Sequence, residues 1–260
     1  MRPLPTEDQL TSARPIAPGS RDSSEKIHQH LRASILSGEL PAGIELSQAR
    51  VAKDFQVSRG PVREAFRLLQ REELIEAQVN HRARVTGLSL PDVELVYALR
   101  IVNEALALAV SVPRFSGADL DAMDELVTAI GAAHRQGFGS WERRHREFHD
   151  LLLVHSGERM RSSVARWAEH SERYRRVYLA DAEGGWAVGA LEHAELATAC
   201  RAGDTVRATG MLARHLSRAG LTLVAAMDPT HEPALLRAAV RQVASPVGLA
   251  EGDGRQVQRR

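Results

Sequence analysis

Between Lys26 and Leu36 apolar residues recur at Ile27, Leu31 and Ile35, the spacing of one face of an amphipathic helix. Gly38 ends that helix, and Pro41 and Gly43 force turns. Ser47 then offers a cap to a short helix running to Phe55, with Val51 and Phe55 inward. After a two-residue link, Ser58 opens a third helix that turns Val62, Ala65, Phe66 and Leu69 inward. The period then shortens. Two β-like runs, Leu74–Gln78 and Ala83–Thr86, flank a polar tip at Asn80 and His81 and predict a hairpin. From Ser89 and Pro91 onward the pattern is helical throughout, over 90–112, 117–135, 140–156, 159–180, 187–202 and 204–226. The short breaks between them make sequence neighbours antiparallel.

This order predicts a mainly α protein: an N-terminal winged helix-turn-helix and a C-terminal antiparallel all-helical bundle of about six helices. Residues 1–22 read as a disordered leader, 23–88 as the winged domain, 89–228 as the bundle, and 229–260 as a partly disordered tail with one short helix near 232–243. Across 260 residues, 43% apolar content suffices for two cores. The one cysteine, Cys200, precludes an intramolecular disulfide framework and reads as a small buried apolar residue. The N-terminus carries acidic residues and prolines where a secretion signal needs an apolar core. The longest uncharged apolar run, after Glu104, covers only about nine residues. These features predict a cytoplasmic chain with no membrane partner.

A net charge of +1 is uninformative until its distribution is considered. Residues 26–88 hold ten Lys/Arg against seven Asp/Glu, and the third helix concentrates the cations. Arg59, Arg63, Arg67 and Arg71, four apart, share one face, with only Glu64 near enough to neutralise any of them. Cations at a helix N-terminus oppose the macrodipole. On an arbitrary helix such a row is a solvated surface, but on the second helix of a helix-turn-helix it occupies the segment that enters a DNA major groove. Guanidinium groups donate bidentately to phosphates and guanine edges. Gly60 permits close backbone approach, Pro61 is tolerated in a first turn, and the amides near Ser58 can point at a phosphate.

Six of the eleven histidines fall between 134 and 193, and another is at 215. His145 and His149 lie one turn apart, a spacing that lets two imidazoles grip one cation and that two ordinary histidines also show. His193 and His215 sit on two later helices, which a bundle can converge on one interior point. Glu142 shares the face of His145 as a possible supporting partner. Arg100 has Glu104 at i+4, the spacing of an intrahelical ion pair. His134, His155 and His170 read as surface or core residues. Two other readings compete with DNA-dependent regulation. One is a metal-dependent hydrolase with a basic appendage, for which no H-E-x-x-H, G-x-S-x-G or P-loop is found. The other is a DNA-binding architectural protein whose bundle only dimerises.

The stretch "ILSGELPAGIELSQARVAKDFQVSRGPVREAFRLLQREELI" resembles the DNA-binding domain of GntR-family transcription regulators, above all in its G-E-L-x-x-G turn and V-S-R-x-P-V-R-E-A helix. The resemblance implies DNA contacts from Ser58, Arg59, Gly60 and Arg63, joined by Arg67 of the same row, and a hairpin tip, His81 and Arg82, in the neighbouring minor groove. Glu73 and Arg82 stand where family members usually carry glycine. The second domain is similar to the FCD effector domain of the FadR-like subfamily, with His149, His193 and His215 on its histidine positions and His145 where the family has Asp. That similarity implies a divalent metal, for which imidazoles suit zinc or nickel, and a small carboxylate effector with Arg100 facing its pocket. The expected protein is a homodimeric, ligand-responsive regulator on a palindromic operator, and not an enzyme.

Overall fold

A computed structural model describes residues 23–78, 82–133, 136–178 and 185–244. The chain divides into two compact units, residues 1–93 with 169–182, and residues 94–168 with 183–260.

The first unit contains α1 (Ser23–Leu36), β1 (Glu45–Ser47), α2 (Gln48–Asp54), α3 (Arg59–Arg71), β2 (Ile75–Gln78) and β3 (Arg82–Val85). Ile27, Leu31, Ile35, Val51, Phe55, Val62, Ala65, Phe66 and Leu69, the residues that the periodicity turns inward, are all buried in one core. Each large one contributes roughly 1.5–3 kcal/mol of burial. The strands cover the remainder with Leu46, Leu74, Ile75, Ala83 and Val85. They form an antiparallel sheet of order β1-β3-β2, with Glu45 opposite Arg84 and Ile75 opposite Val85. The hairpin tip at Asn80 and His81 lies outside the described residues.

Three local details test the turn chemistry. Gly38, at φ +77°, has the left-handed backbone expected of a helix stop. Ser47 and Ser58 stand at the starts of α2 and α3 with extended backbones, yet neither side chain makes a cap hydrogen bond. Glu73 follows α3 at φ +56°, a conformation that glycine adopts far more readily.

The second unit is built from α4 (Leu90–Ser111), α5 (Gly117–Ala133), α6 (Phe138–Leu152), α7 (Glu158–Tyr178), α8 (Gly185–Arg201), α9 (Thr205–Met227) and α10 (Ala234–Ala244), apart from the first turn of α4 and the second half of α7. Within the first unit, that half of α7 is tied by polar bonds. Arg32 joins Glu72 at 2.8 Å and also Glu169, Arg173 donates to the Thr86 carbonyl at 2.6 Å, and the Tyr174 hydroxyl donates to Asp92 at 2.6 Å. In the second unit α5 packs on α6 and α8, α8 on α9, and α9 on α10. The Asp204 side chain caps α9 through the Arg207 amide at 3.0 Å. α6 stops at Leu152, short of the expected 156, because tight turns over 150–156 lead to Gly157 at φ +88°. The short helix expected near 232–243 is α10, whose Leu236 is fully buried. Close packing at Gly220 admits it: a Cβ there would lie 3.0 Å from Tyr97 and 3.2 Å from Leu236. Cys200 is buried on α8, and burial pushes its thiol up to about 12.

By length and composition α4 and the turn after it could cross a membrane, but most of that stretch is buried and Glu94, Arg100 and Glu104 lie inside the unit. It is a core helix and not a span.

Glu73→Gly removes the left-handed strain at an exposed position and should stabilise the protein by about 1 kcal/mol. Urea unfolding measures it; an unchanged or lower midpoint contradicts the strain.

Candidate metal centre and nucleic-acid interface

α3 presents Ser58, Arg59, Gly60, Arg63, Arg67 and Arg71 to solvent. Arg67 bonds Glu64 at 2.9 Å, whereas Arg59, Arg63 and Arg71 have no hydrogen-bond or ion-pair partner among the described residues. The first turn holds no acidic residue, and Ser58 leaves the leading amides without a side-chain cap. Those N–H groups and the free guanidinium groups all offer donors on one face. A Cβ on Gly60 would meet only the Ser58 Oγ at 3.8 Å, so packing does not require glycine there. Arg82 is bonded to Glu45 at 3.1 Å, and Arg84 bonds the same carboxylate at 3.0 Å. These two hydrogen bonds, Arg84's the larger, hold the Glu45 carboxyl below its ordinary range. His81 lies outside the described residues.

The four histidines do converge. His145 and His149 stand on the buried face of α6 with Phe148 and Leu152, His193 on the buried face of α8 with Leu196 and Cys200, and His215 on that of α9 with Leu212 and Leu216. One ligand nitrogen from each lies within 4.8 Å of the others. Two nitrogens on one ion at about 2.1 Å can be at most about 4.2 Å apart, so small side-chain shifts suffice to close the set on a metal. Neither ring nitrogen of His193 has a hydrogen-bond partner among the described residues, which is the state of an imidazole awaiting a ligand. The residues fit a divalent ion.

Two carboxylates orient the rings. His149 Nδ1 lies 3.3 Å from Glu104, and His215 Nδ1 lies 2.7 Å from Glu192. Each carboxylate has its own arginine: Arg100 donates to Glu104 at 2.6 Å, and Arg218 reaches both oxygens of Glu192 at 2.6 Å. Burial raises both carboxyl groups, but the arginine charges and the histidine and arginine hydrogen bonds prevail and bring each to about 2. With Nδ1 so engaged, Nε2 of His149 and of His215 is left to face the cluster. Burial, reinforced by the neighbouring cations, drives His193 well below its ordinary value; burial likewise lowers His215 to about 4 against the Glu192 hydrogen bond. Both are neutral at pH 7 and ready to ligate. Trp141 stacks on His145 with centroids 4.4 Å apart, and Phe148 edges His193 at 5.0 Å.

Arg100 is buried, and its i+4 ion pair with Glu104 is formed. Glu142 is buried beside the cluster on α6. Sequence reasoning missed Glu192, Trp141, Arg218 and the part Glu104 plays at His149. His155 stands apart, bonded to Asp119 at 3.1 Å.

Two family profiles match the chain, "Bacterial regulatory proteins, gntR family" over residues 23–85 and "FCD domain" over 95–218. The uncharacterized HTH-type transcriptional regulator BphR of Paraburkholderia xenovorans (strain LB400) is 31% identical over 223 residues, 78% of this chain and 85% of that protein. The chain belongs to the GntR family of bacterial regulators. Its FCD domain carries the histidine cluster, and the family and BphR alike are named as regulators. The uncharacterized regulator YdhC of Bacillus subtilis (strain 168) is 29% identical over 136 residues, 52% of this chain and 61% of YdhC. Among solved structures, Escherichia coli McbR/YncC shares the fold with a TM-score of 0.67 at 18% identity, over 77% of this chain and 96% of that one.

The depressed values set a pH dependence for the metal-free regulator. Folded His215 titrates near 4 against an ordinary 6.5, so between these values the unfolded chain takes up a proton that the folded chain refuses. Stability is fully present above pH 6.5 and falls as pH drops toward 4. His215→Asn should flatten that decline in urea unfolding; an identical slope in the variant contradicts it.

Proposed function

We propose that this GntR regulator is a homodimer on a palindromic operator whose DNA affinity is set by a small carboxylate bound in a metal-containing pocket. The observation that carries this reading is the convergence of His145, His149, His193 and His215 in a buried cluster with two carboxylates already matched by arginines. A divalent ion held there, zinc or nickel by the donor set, supplies a fixed positive charge to an anionic oxygen. The four imidazoles bring no charge of their own, and Glu104 and Glu192 are each neutralised by a partner. An incoming dication therefore leaves a net positive pocket that a carboxylate balances. His145, in place of the family's Asp, makes that balance depend more on the ligand. Arg100, expected from the sequence to contact the effector, serves the pocket through Glu104 and His149.

DNA is met by α3. Ser58, Gly60 and the leading amides approach phosphates, Arg59 and Arg63 reach base edges, Arg67 follows along the backbone, and Arg82 with His81 enters the minor groove. A second copy covers α4. Leu95, Leu99, Val102, Leu106 and Ala109 follow the alternating four-three spacing of a helix–helix seam, and Leu106 is 54% exposed. Such a face is complementary to itself under a two-fold axis, which sets two winged helices on half-sites about one DNA turn apart. Effector binding changes the match between them and hence the affinity.

Operator titrations test the reading. Arg59→Ala should lose about 1–3 kcal/mol and relax one base preference, and the zinc-loaded wild type should change affinity with a panel of small carboxylates, an effect that a chelator abolishes. Unchanged selectivity, or indifference to every carboxylate and to the chelator, contradicts it. For the dimer, Leu106→Glu should give a folded monomer in sedimentation equilibrium, and a variant that still dimerises removes α4 from the interface.

A further inference from the structure

A second concavity is lined by residues other than the four histidines. A shallow, largely open groove of about 550 Å³ runs along α9, with Val240 its one lining residue from α10. Its α10 wall is held in place. The Glu94 carboxylate accepts from the Leu235 and Leu236 amides at 2.6 and 3.3 Å and bonds His231 at 2.8 Å. Leu236 is fully buried below the groove.

The lining is polarised along α9. Arg214 and Arg218 stand one turn apart at one end with the Ser217 hydroxyl between them, while Leu221, Ala225 and, from α10, Val240 give the other end an apolar wall. No acidic side chain lines the groove among the described residues. Arg214 is exposed and has no hydrogen-bond or ion-pair partner among them. Arg218 gives Nε and Nη2 to Glu192, which leaves Nη1 for a second acceptor on its far edge. From Arg214 to Ala225 the helix rises about 16 Å, room for an anionic head and an aliphatic tail laid along it.

We propose that the α9–α10 groove is a second ligand site, taking an amphipathic monocarboxylate whose head pairs with Arg214 and Arg218 and whose tail lies on Leu221, Ala225 and Val240. The occupant follows from charge complementarity at one end and apolar surface at the other. The groove is separate from the pocket proposed above, but Arg218 joins the two: it grips Glu192, which bonds His215. A carboxylate on Nη1 competes for the same guanidinium charge, so that clause of the proposal rests on the metal-pocket reading while the binding itself does not.

Calorimetric titration of the metal-free full chain with octanoate and acetate tests it. Octanoate should bind once per chain and acetate roughly tenfold more weakly or worse, because it has no tail to bury. Arg214→Glu should abolish octanoate binding, Arg214→Lys should retain part of it, and Leu221→Ser should reduce octanoate toward acetate. His193→Ala, which breaks the cluster and leaves the groove intact, should still bind octanoate. No saturable octanoate binding, or binding that survives Arg214→Glu, overturns the site. Loss of binding in His193→Ala places the ligand at the histidines and also overturns it. Octanoate should further shift zinc affinity severalfold in wild type; an unshifted affinity overturns the coupling through Arg218.

Discussion

Four imidazoles share one buried point most readily when each keeps only one ring proton and stays uncharged, and the bundle is arranged around that restriction. Burial and mutual repulsion hold His193 and His215 neutral. The two carboxylates that fix the ring orientations are each matched by an arginine, so they align the nitrogens without making the centre anionic. The buried Glu104–Arg100 pair contributes little net stability, because desolvation offsets most of the attraction. Its effect is positional. The consequence is a cluster whose carboxylates are already balanced, so that under the proposed function a bound cation would call for an anion from outside.

The winged unit handles charge in the opposite way. Its arginines on α3 are exposed, unmatched save for Arg67, and run along one face from Arg59 and Arg63, near the end where the backbone already presents positive potential, to Arg71 in the last turn. The free protein gains nothing from that arrangement, and a polyanion reverses its sign. On the sheet, Glu45 holds both Arg82 and Arg84, but through exposed ion pairs of the kind worth about 0.2–1 kcal/mol. A phosphate can displace such a carboxylate. The arginines of α3 and the sheet are thus left free or lightly tethered, whereas the polar groups around the histidine cluster of the FCD domain are locked.

Much of this is legible in the chain. Every inward residue read from the periodicity of α1, α2 and α3 is buried, and the histidine set assembles as the spacing and the family resemblance imply. Strand β1 is not legible, because three residues with one inward Leu46 carry no alternation; its existence depends on pairing with β3, distant in sequence. Nor is Glu192. It neighbours His193 on α8 but serves His215 on α9, a partnership that only helix packing creates. Ser47 and Ser58 show the reverse failure, since both have the right residue type and backbone for a cap and neither forms the bond. At Glu73 the family's glycine pointed to a backbone demand that composition alone could not, and φ +56° is that demand.

Under the proposed function the four histidines act as one ligand set, and X-ray absorption at the zinc edge of the protein loaded with a single equivalent examines that set directly. It should show a nitrogen and oxygen shell near 2.0–2.1 Å with the outer-shell scattering of three or four imidazoles, reduced by one imidazole in His193→Ala. A shell without imidazole scattering, or a spectrum untouched by that substitution, would place the metal elsewhere and contradict the reading of the cluster as the sensor's centre.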